Sequence, residues 1–367
     1  MNKIKLSNPV RLIAFFLTAA LLISTFGFTV DGWQIGNKGE KSPFDGPFSS
    51  PNDGENTTTN RIPEKPEIYI PAYVNRLTGV ETSEIEALKG HLAFIMDPSI
   101  SSYGISRADL LCEIPTENGE RYIAFISNTD NLSKIGSLTP TRGYISNIAK
   151  YFGSICLSVG NDDSIKYTHC NMSDTTLDLS DGGYYYSEFT SNLYTNCDLL
   201  NMAITNQETW AGQTNTEALP FDYVDFGLEP IIFESITAQR ITVNNESSLA
   251  TEMRYSTETR RYILYKDSMP KIDSLNGKEL EFTNCFVLFA DSVTYDNTEC
   301  SQMVMDTIGQ GKGYYFTSGG VIEIYWVGTE EGSLSFYALS GEKLIVNRGK
   351  SFISFVKSSK IENVRFQ

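Results

Sequence analysis

The stretch at residues 121–159 contains two apolar runs, RYIAFI at 121–126 and ICLSV at 155–159, separated by TRGYISNIAKYF at 141–152. The apolar runs are short and almost continuous, which is typical of buried strands. The segment between them follows Pro140, and its apolar side chains recur at helical spacing on one face: Tyr144, Ile145, Ile148 and Phe152. A strand, a helix and a strand in succession indicate an α/β sheet covered on at least one side.

Similar strand and helix patterns occur on both sides of this stretch. HLAFIM at 91–96 predicts a further buried strand, and residues 192–206 predict a second amphipathic helix. Beyond residue 230 the sequence becomes rich in short strand patterns separated by turns, with one predicted helix around 299–308. The predicted strands there are 240–243, 251–255, 262–265, 281–291, 313–316, 321–327, 333–337, 343–346 and 352–356.

These patterns predict an α/β (α+β) protein in two parts. A chain of 367 residues exceeds one ordinary domain. We predict a layered sheet-and-helix domain at 72–230, followed by a smaller, mainly β domain at 231–367. Residues 1–30 are predicted to be a signal peptide or membrane anchor, and residues 31–71 a disordered linker.

The N-terminal segment predicts export. Lys3, Lys5 and Arg11 precede nineteen uncharged residues at 12–30. As a helix this run would be about 28 Å long, close to the hydrocarbon thickness of a bilayer. The basic flank would stay in the cytoplasm and the remainder would lie outside. The alternative is a signal peptide cleaved near Gly27, which would release the chain.

The linker prediction for residues 31–71 rests on composition. Six of the thirteen prolines fall there, among Gly, Ser, Asn and Thr. Such a segment has little apolar surface to bury and is typical of a flexible tether.

Overall composition excludes some classes of function. Twenty-nine basic against 45 acidic residues give a net charge of −16, which opposes binding to nucleic acid. Two His leave little material for a His-based zinc site or general base, and we expect no metal or other cofactor. An exported chain permits disulfides, but six irregularly spaced Cys leave their pairing open. The glycines of GQGKG at 309–313 lack phosphate-loop spacing and predict a tight turn.

Several motifs resemble those of the YerB-like lipoprotein family, a group of uncharacterised exported bacterial proteins. GISRADLLCE at 104–113 is similar to the family's G-L-S-x-A-D-I-V-Y-E, and GSLTPTRGY at 136–144 is similar to G-P-V-R-S-x-R-x-Y. The other similar segments, in family order, are AYVNRLTGV (72–80), ENGERYIAF (117–125), SNLYTN (191–196) and GQGKGYYFTSGGVIEIYW (309–326). The resemblance implies an α/β domain followed by a smaller β-rich domain, outside the membrane of a Gram-positive bacterium.

The chain departs from the family pattern at several polar positions. Thr139 replaces the first Arg of G-P-V-R-S-x-R, and Ser158 and Ser191 stand where the family has His. No Cys lies near the end of the apolar segment at 12–30, so we expect no lipoprotein acylation site there. The resemblance therefore implies a divergent member that has lost some of the family's clustered polar groups.

The polar residues that remain define the predicted ligand site: Arg121, Arg142, Asp109, Glu113 and Asn192. Two guanidinium groups could hold a carboxylate or phosphate while the acids orient them. The alternative is a structural ion-pair network at the sheet edge, in which Arg142 binds an acidic side chain such as Glu113.

We find no nucleophile motif and predict no catalytic residue. The favoured function is a non-enzymatic binding or scaffolding protein, tethered to the membrane and facing the cell envelope. Its expected partners are the cell membrane, through the N-terminal helix, and other envelope proteins or cell-wall material. The alternative functional hypothesis is an extracytoplasmic hydrolase acting on envelope material.

Overall fold

β-Strands are the main regular structure of the described part of the chain, which begins at residue 69. The computed structural model of the protein describes residues 69–117, 119–160, 175–188, 192–206, 223–245, 250–296, 301–330 and 332–367. These residues form three α-helices: α1 (Glu84–Leu88), α2 (Gly143–Tyr151) and α3 (Cys197–Asn206). Their strands are β1 (Leu92–Met96), β2 (Leu110–Thr116), β3 (Gly119–Ile126), β4 (Ile135–Leu138), β5 (Ile155–Ser158), β6 (Thr176–Asp178), β7 (Tyr186–Ser187), β8 (Leu193–Thr195), β9 (Asp225–Phe226), β10 (Arg240–Val243), β11 (Thr251–Ser256), β12 (Arg261–Lys266), β13 (Met269–Pro270), β14 (Glu281–Phe282), β15 (Asn284–Ala290), β16 (Ser292–Asp296), β17 (Ser301–Met305), β18 (Gly309–Thr317), β19 (Gly320–Gly328), β20 (Leu334–Ala338), β21 (Ile345–Val346), β22 (Ser351–Lys357) and β23 (Val364–Phe366).

Thirteen of these strands form one large sheet. Its order is β20-β19-β18-β15-β22-β2-β3-β1-β4-β8-β7, with β5 beside β1 and β6 beside β5. Strand β22 pairs in parallel with both β2 and β15. A second, six-stranded sheet has the order β13-β12-β11-β10-β23, with β14 paired to β12.

The central strands of the large sheet are buried on both faces. Along β1, Phe94 and Met96 face one core, whereas Ala93 and Ile95 face the other, as the two-residue period of a strand requires. The six-stranded sheet packs on the first face, and the apolar side of α2 packs on the second. Burial on both faces explains why the strand segments are continuous apolar runs.

The fold class predicted from the sequence is confirmed: the protein is a mixed α+β protein with a mainly β C-terminal region. Strands from both sides of residue 230 pair with one another in the large sheet, and Pro66–Gln367 forms one compact unit. The division into domains at 72–230 and 231–367 stays a prediction.

Two helix predictions need correction. Residues 301–305 form β17, which pairs with β16 and buries Met303 and Met305 alternately, so the predicted helix at 299–308 is wrong. The predicted helix at 192–206 begins only at Cys197. There Asn196 Oδ1 accepts a hydrogen bond from Leu199 N at 2.9 Å and caps the helix.

The GQGKG segment forms neither a turn nor a phosphate loop. It lies within β18, where Gly311 is opposite Trp326 of β19. A Cβ atom at Gly311 would lie 2.4 Å from Phe289 O and 2.5 Å from the Trp326 ring. The indole Nε1 donates a hydrogen bond to that same carbonyl at 3.0 Å, so glycine is needed to seat the tryptophan.

The predicted anchor at residues 12–30 and most of the predicted linker lie outside the described residues. Within the described residues, no helix is both long enough and apolar enough to cross a membrane.

Replacing Gly311 with alanine should destabilise the fold. The added methyl would displace the Trp326 indole from Phe289 O, and overpacking of this kind costs about 1–3 kcal/mol. The matched control is Gly90→Ala, because a Cβ atom there would contact nothing within 4 Å. Urea unfolding of both variants checks the prediction, and equal stability would contradict it.

Candidate functional site

Arg142 forms a buried ion pair at the start of α2. Its Nη1 and Nη2 donate to Glu117 Oε2 and Oε1, both at 2.5 Å. The two side chains are only 10% and 16% exposed. Burial raises the pKa of Glu117, but the hydrogen bonds from Arg142 and from the backbone N–H of Met303 outweigh that effect, and the pKa is lowered. The acidic partner of Arg142 is therefore Glu117 and not Glu113.

Arg121 and Glu113 lie on opposite faces of the large sheet. Arg121 is opposite Ile114 in the β2–β3 pair, whereas Glu113 is opposite Tyr122. The Arg121 face packs against α2, and its Nη1 donates to Glu120 O at 3.0 Å. The two residues therefore cannot act on one ligand from the same side of the sheet.

Glu113 instead joins the two sheets. Its fully buried carboxylate accepts hydrogen bonds from Lys266 Nζ and Thr251 Oγ1, both at 2.8 Å. Lys266 and Thr251 belong to the six-stranded sheet. Burial lowers the pKa of Lys266, but the carboxylates of Glu113 and Glu120 outweigh that effect and raise it.

The two remaining predicted residues lie elsewhere. Asp109 Oδ2 accepts from Ser127 Oγ at 2.6 Å and Asn75 Nδ2 at 3.1 Å, and His91 Nε2 lies 3.5 Å away. Burial raises the pKa of Asp109, but these hydrogen bonds and the nearby His91 outweigh that effect, and the pKa is lowered. Asn192 precedes β8, four strands from β2, or roughly 19 Å across the sheet. The five predicted residues therefore do not form one cluster, and their role in ligand binding stays a prediction.

Asp109 lines a surface groove of three adjoining cavities. The central cavity has a volume of about 360 Å³ and is lined by Asn75, Thr78, Val80, Glu81, Thr82, Asp109, Arg261, Glu281, Thr283, Arg348, Gly349 and Lys350. It shares Arg261, Glu281 and Lys350 with a cavity of about 200 Å³. It shares Thr283 and Arg348 with a cavity of about 620 Å³. We call these three cavities the 348–350 groove.

Two tight turns form the wall of this groove. Asn75 Oδ1 accepts hydrogen bonds from the N–H groups of Leu77 and Thr78, which closes the turn of the NRLTG segment. Thr78 O then accepts from Gly349 N at 2.8 Å. Gly349 has φ +139°, and a Cβ atom there would lie 2.1 Å from Thr283 Oγ1. Only glycine permits this approach, which places Arg348 and Lys350 on either side of the turn.

Five basic and five acidic side chains line the groove, and the bases include Arg348 and Lys350. Arg348 Nε is buried and has no hydrogen-bond partner among the described residues. Lys350 Nζ donates to Ser106 O at 2.5 Å. Burial lowers the pKa of Lys350, and three cations lower it further (Arg261, Arg107 and Lys278), while Asp109 raises it.

The acidic side chains of the central cavity already have partners. Asp109 accepts hydrogen bonds from Ser127 and Asn75. Glu281 forms an ion pair with Arg261 at 3.3 Å, and Glu81 accepts a hydrogen bond from Tyr69 Oη at 2.6 Å. The guanidinium of Arg348 could therefore bind a carboxylate or phosphate oxygen in the groove.

Of the groove residues, Asp109 was predicted from the sequence, whereas Arg348 and Lys350 were not. The available signal was NRGK at 347–350, two cations flanking a glycine between two predicted strands of an acidic chain.

Other groups that could carry chemistry are satisfied or buried. Within the described ranges, no three His, Cys, Asp or Glu side chains are placed to hold a metal ion. Cys112, Cys156, Cys197 and Cys285 are free thiols, and burial raises the pKa of Cys156 to about 12. Cys170 and Cys300 lie outside the described residues, so the disulfide pairing stays open.

Replacing Arg142 with alanine should cost about 3–5 kcal/mol at neutral pH, because it leaves Glu117 buried without its guanidinium partner. The matched control is Arg121→Ala, which removes a half-buried arginine bonded to a backbone carbonyl and should cost far less. Chemical unfolding measures the free energy of unfolding of both variants.

The stability contributed by the Arg142–Glu117 pair depends on pH. It is present above the unfolded-state pKa of Glu117 and is lost as the pH falls through the lowered folded-state pKa of Glu117. A pH-independent difference between wild type and Arg142→Ala would refute the ion-pair assignment.

Comparison with known proteins supports the resemblance seen in the sequence. Residues 240–353 match the C-terminal domain of DUF3048, a family described as proteins of unknown function. The chain is similar to the crystal structure of the YerB protein from Bacillus subtilis, with 21% sequence identity and a TM-score of 0.66. That match covers 82% of this chain and 100% of YerB. No curated protein matches the chain. The chain thus has the fold of YerB, and its residues 240–353 are similar to the C-terminal domain of the uncharacterised DUF3048 family.

Proposed function

We propose that the protein is a membrane-tethered binding protein on the outer face of a bacterial cell membrane, and that the 348–350 groove holds an anionic group of its ligand. The observation that carries the ligand class is the buried Arg348 Nε, a charged donor without a hydrogen-bond partner among the described residues. Buried polar groups are nearly always satisfied. Eight described residues have a buried polar atom without a partner, and of these Arg348 lines the groove, which favours an acceptor supplied by a ligand there.

The surrounding charges support an anion in particular. Lys350 has its pKa lowered by burial and by three neighbouring cations, opposed by Asp109. An added carboxylate or phosphate would relieve this repulsion and form charge-assisted hydrogen bonds.

The proposed location rests on the sequence of residues 1–30. The basic flank and the nineteen uncharged residues support an anchor whose exported part faces the envelope. Envelope proteins and cell-wall material are accordingly the partners that we propose for a binding or scaffolding role, besides the membrane itself.

A hydrolase at this groove would need an activated nucleophile. Among the described thiols, Cys112, Cys156 and Cys285 are buried, and burial raises the pKa of each, which keeps them protonated. None of the three lines the groove. We therefore favour binding over hydrolysis.

The anchor can be tested by fractionating cells of a bacterial host that expresses the full chain. We expect the protein to sediment with membranes and to lose its exported part to protease added outside the cell. A mature chain in the medium that begins shortly after Gly27 would contradict the tether and support cleavage.

Anion binding can be tested by calorimetric titration of inorganic phosphate into the full chain held in lipid nanodiscs. Arg348→Gln should weaken phosphate binding about tenfold or more, since it removes a charged hydrogen-bond donor. Arg365→Gln is the matched control, because Arg365 is an exposed arginine on β23 that does not line the groove. No phosphate binding by the wild type, or equal loss in both variants, would refute the proposed site.

A further inference from the structure

The largest cavity of the groove has an apolar wall beside Arg348. The cavity of about 620 Å³ is lined in part by Leu228, Ile232 and Tyr255. Leu228 and Ile232 are 46% and 63% exposed, so their side chains present apolar surface to solvent. Arg348 and Thr283 line this cavity and also the central one. A cation therefore lies at the junction between a polar cavity and a partly apolar one.

The segment that carries Leu228 and Ile232 is fixed beside this junction. Asn347, the neighbour of Arg348, accepts from Ile231 N at 2.7 Å and donates to Ile231 O at 2.8 Å. The same carbonyl accepts from Ser318 Oγ at 2.9 Å. Gly227 N donates to Val346 O at 2.8 Å. Hydrogen bonds between residues 227–231 and residues 346–347 thus hold the apolar wall beside Arg348.

This arrangement differs from a site for a small inorganic anion. A free phosphate ion would use the cations alone and would leave Leu228 and Ile232 exposed to water. A ligand that continues from its anionic group into the larger cavity would cover both side chains and gain free energy from their burial. The volume of about 620 Å³ lies within the range of small-molecule sites.

We infer that the groove binds an amphipathic anion, with its phosphate or carboxylate at Arg348 and its apolar part against Leu228 and Ile232. This inference rests on the proposed function and adds the class of ligand. The polar members of the larger cavity, Glu229, Arg260 and Ser318, leave room for a polar group on the same molecule.

The test is a titration series on the full chain in lipid nanodiscs with inorganic, methyl, ethyl, propyl and butyl phosphate. These probes share one head group and differ only in apolar length. From methyl to butyl phosphate, we expect affinity to rise about fourfold for each added methylene that becomes fully buried. Ile232→Ser should flatten this rise while inorganic phosphate binds as in the wild type. Ile272→Ser is the matched control, because Ile272 is 46% exposed and lies outside the groove.

The outcomes separate the two proposals. If inorganic phosphate binds but affinity does not depend on alkyl length, the amphipathic ligand is ruled out and the anion site stands. If the rise with length persists unchanged in Ile232→Ser, the apolar part binds elsewhere and the inference fails. If no phosphate compound binds, the proposed function itself fails.

Discussion

The whole fold depends on the pairing of β22 with two distant strands. Ser351–Lys357 lies between β2 and β15 and is parallel to both, with Phe352 opposite Leu111 on one side and Cys285 on the other. Parallel neighbours cannot be joined by a tight turn, so the chain must travel far before these strands meet. Without β22 the sheet would divide between β2 and β15. The last long strand therefore unites segments that lie far apart in the sequence.

The same pairing creates the groove. Ser351, the first residue of β22, donates its N–H to Asp109 O, and Lys350 O accepts from Thr283 N. These bonds hold the preceding turn against β2 and β14. Arg348 and Lys350 consequently lie beside Asp109 and Thr283, although more than 60 residues separate the turn from either partner. The charges of the groove follow from the register of one strand.

Two other buried cations of the described residues form ion pairs within the chain. Lys266 binds Glu113 between the two sheets, and Arg142 binds Glu117 beside α2. A buried charge is tolerated when it is paired, and removal of one partner is strongly destabilising. Arg348 differs because its Nε has no partner within the described part of the chain. Arg348 also lines two cavities of the groove, which is where we propose that a ligand binds.

The sequence by itself determined the fold class and the positions of most buried elements, such as α2 and the strands at 91–96 and 121–126. Burial periodicity is a local property, so it can be read from neighbouring residues. Only the tertiary structure decided that residues 301–305 form a strand, since pairing with β16 overrides local preference. It also decided that Arg142 binds Glu117 and that Glu113 faces Lys266. The sheet register sets which face each side chain takes and which distant residue it meets, and neither is encoded in local spacing.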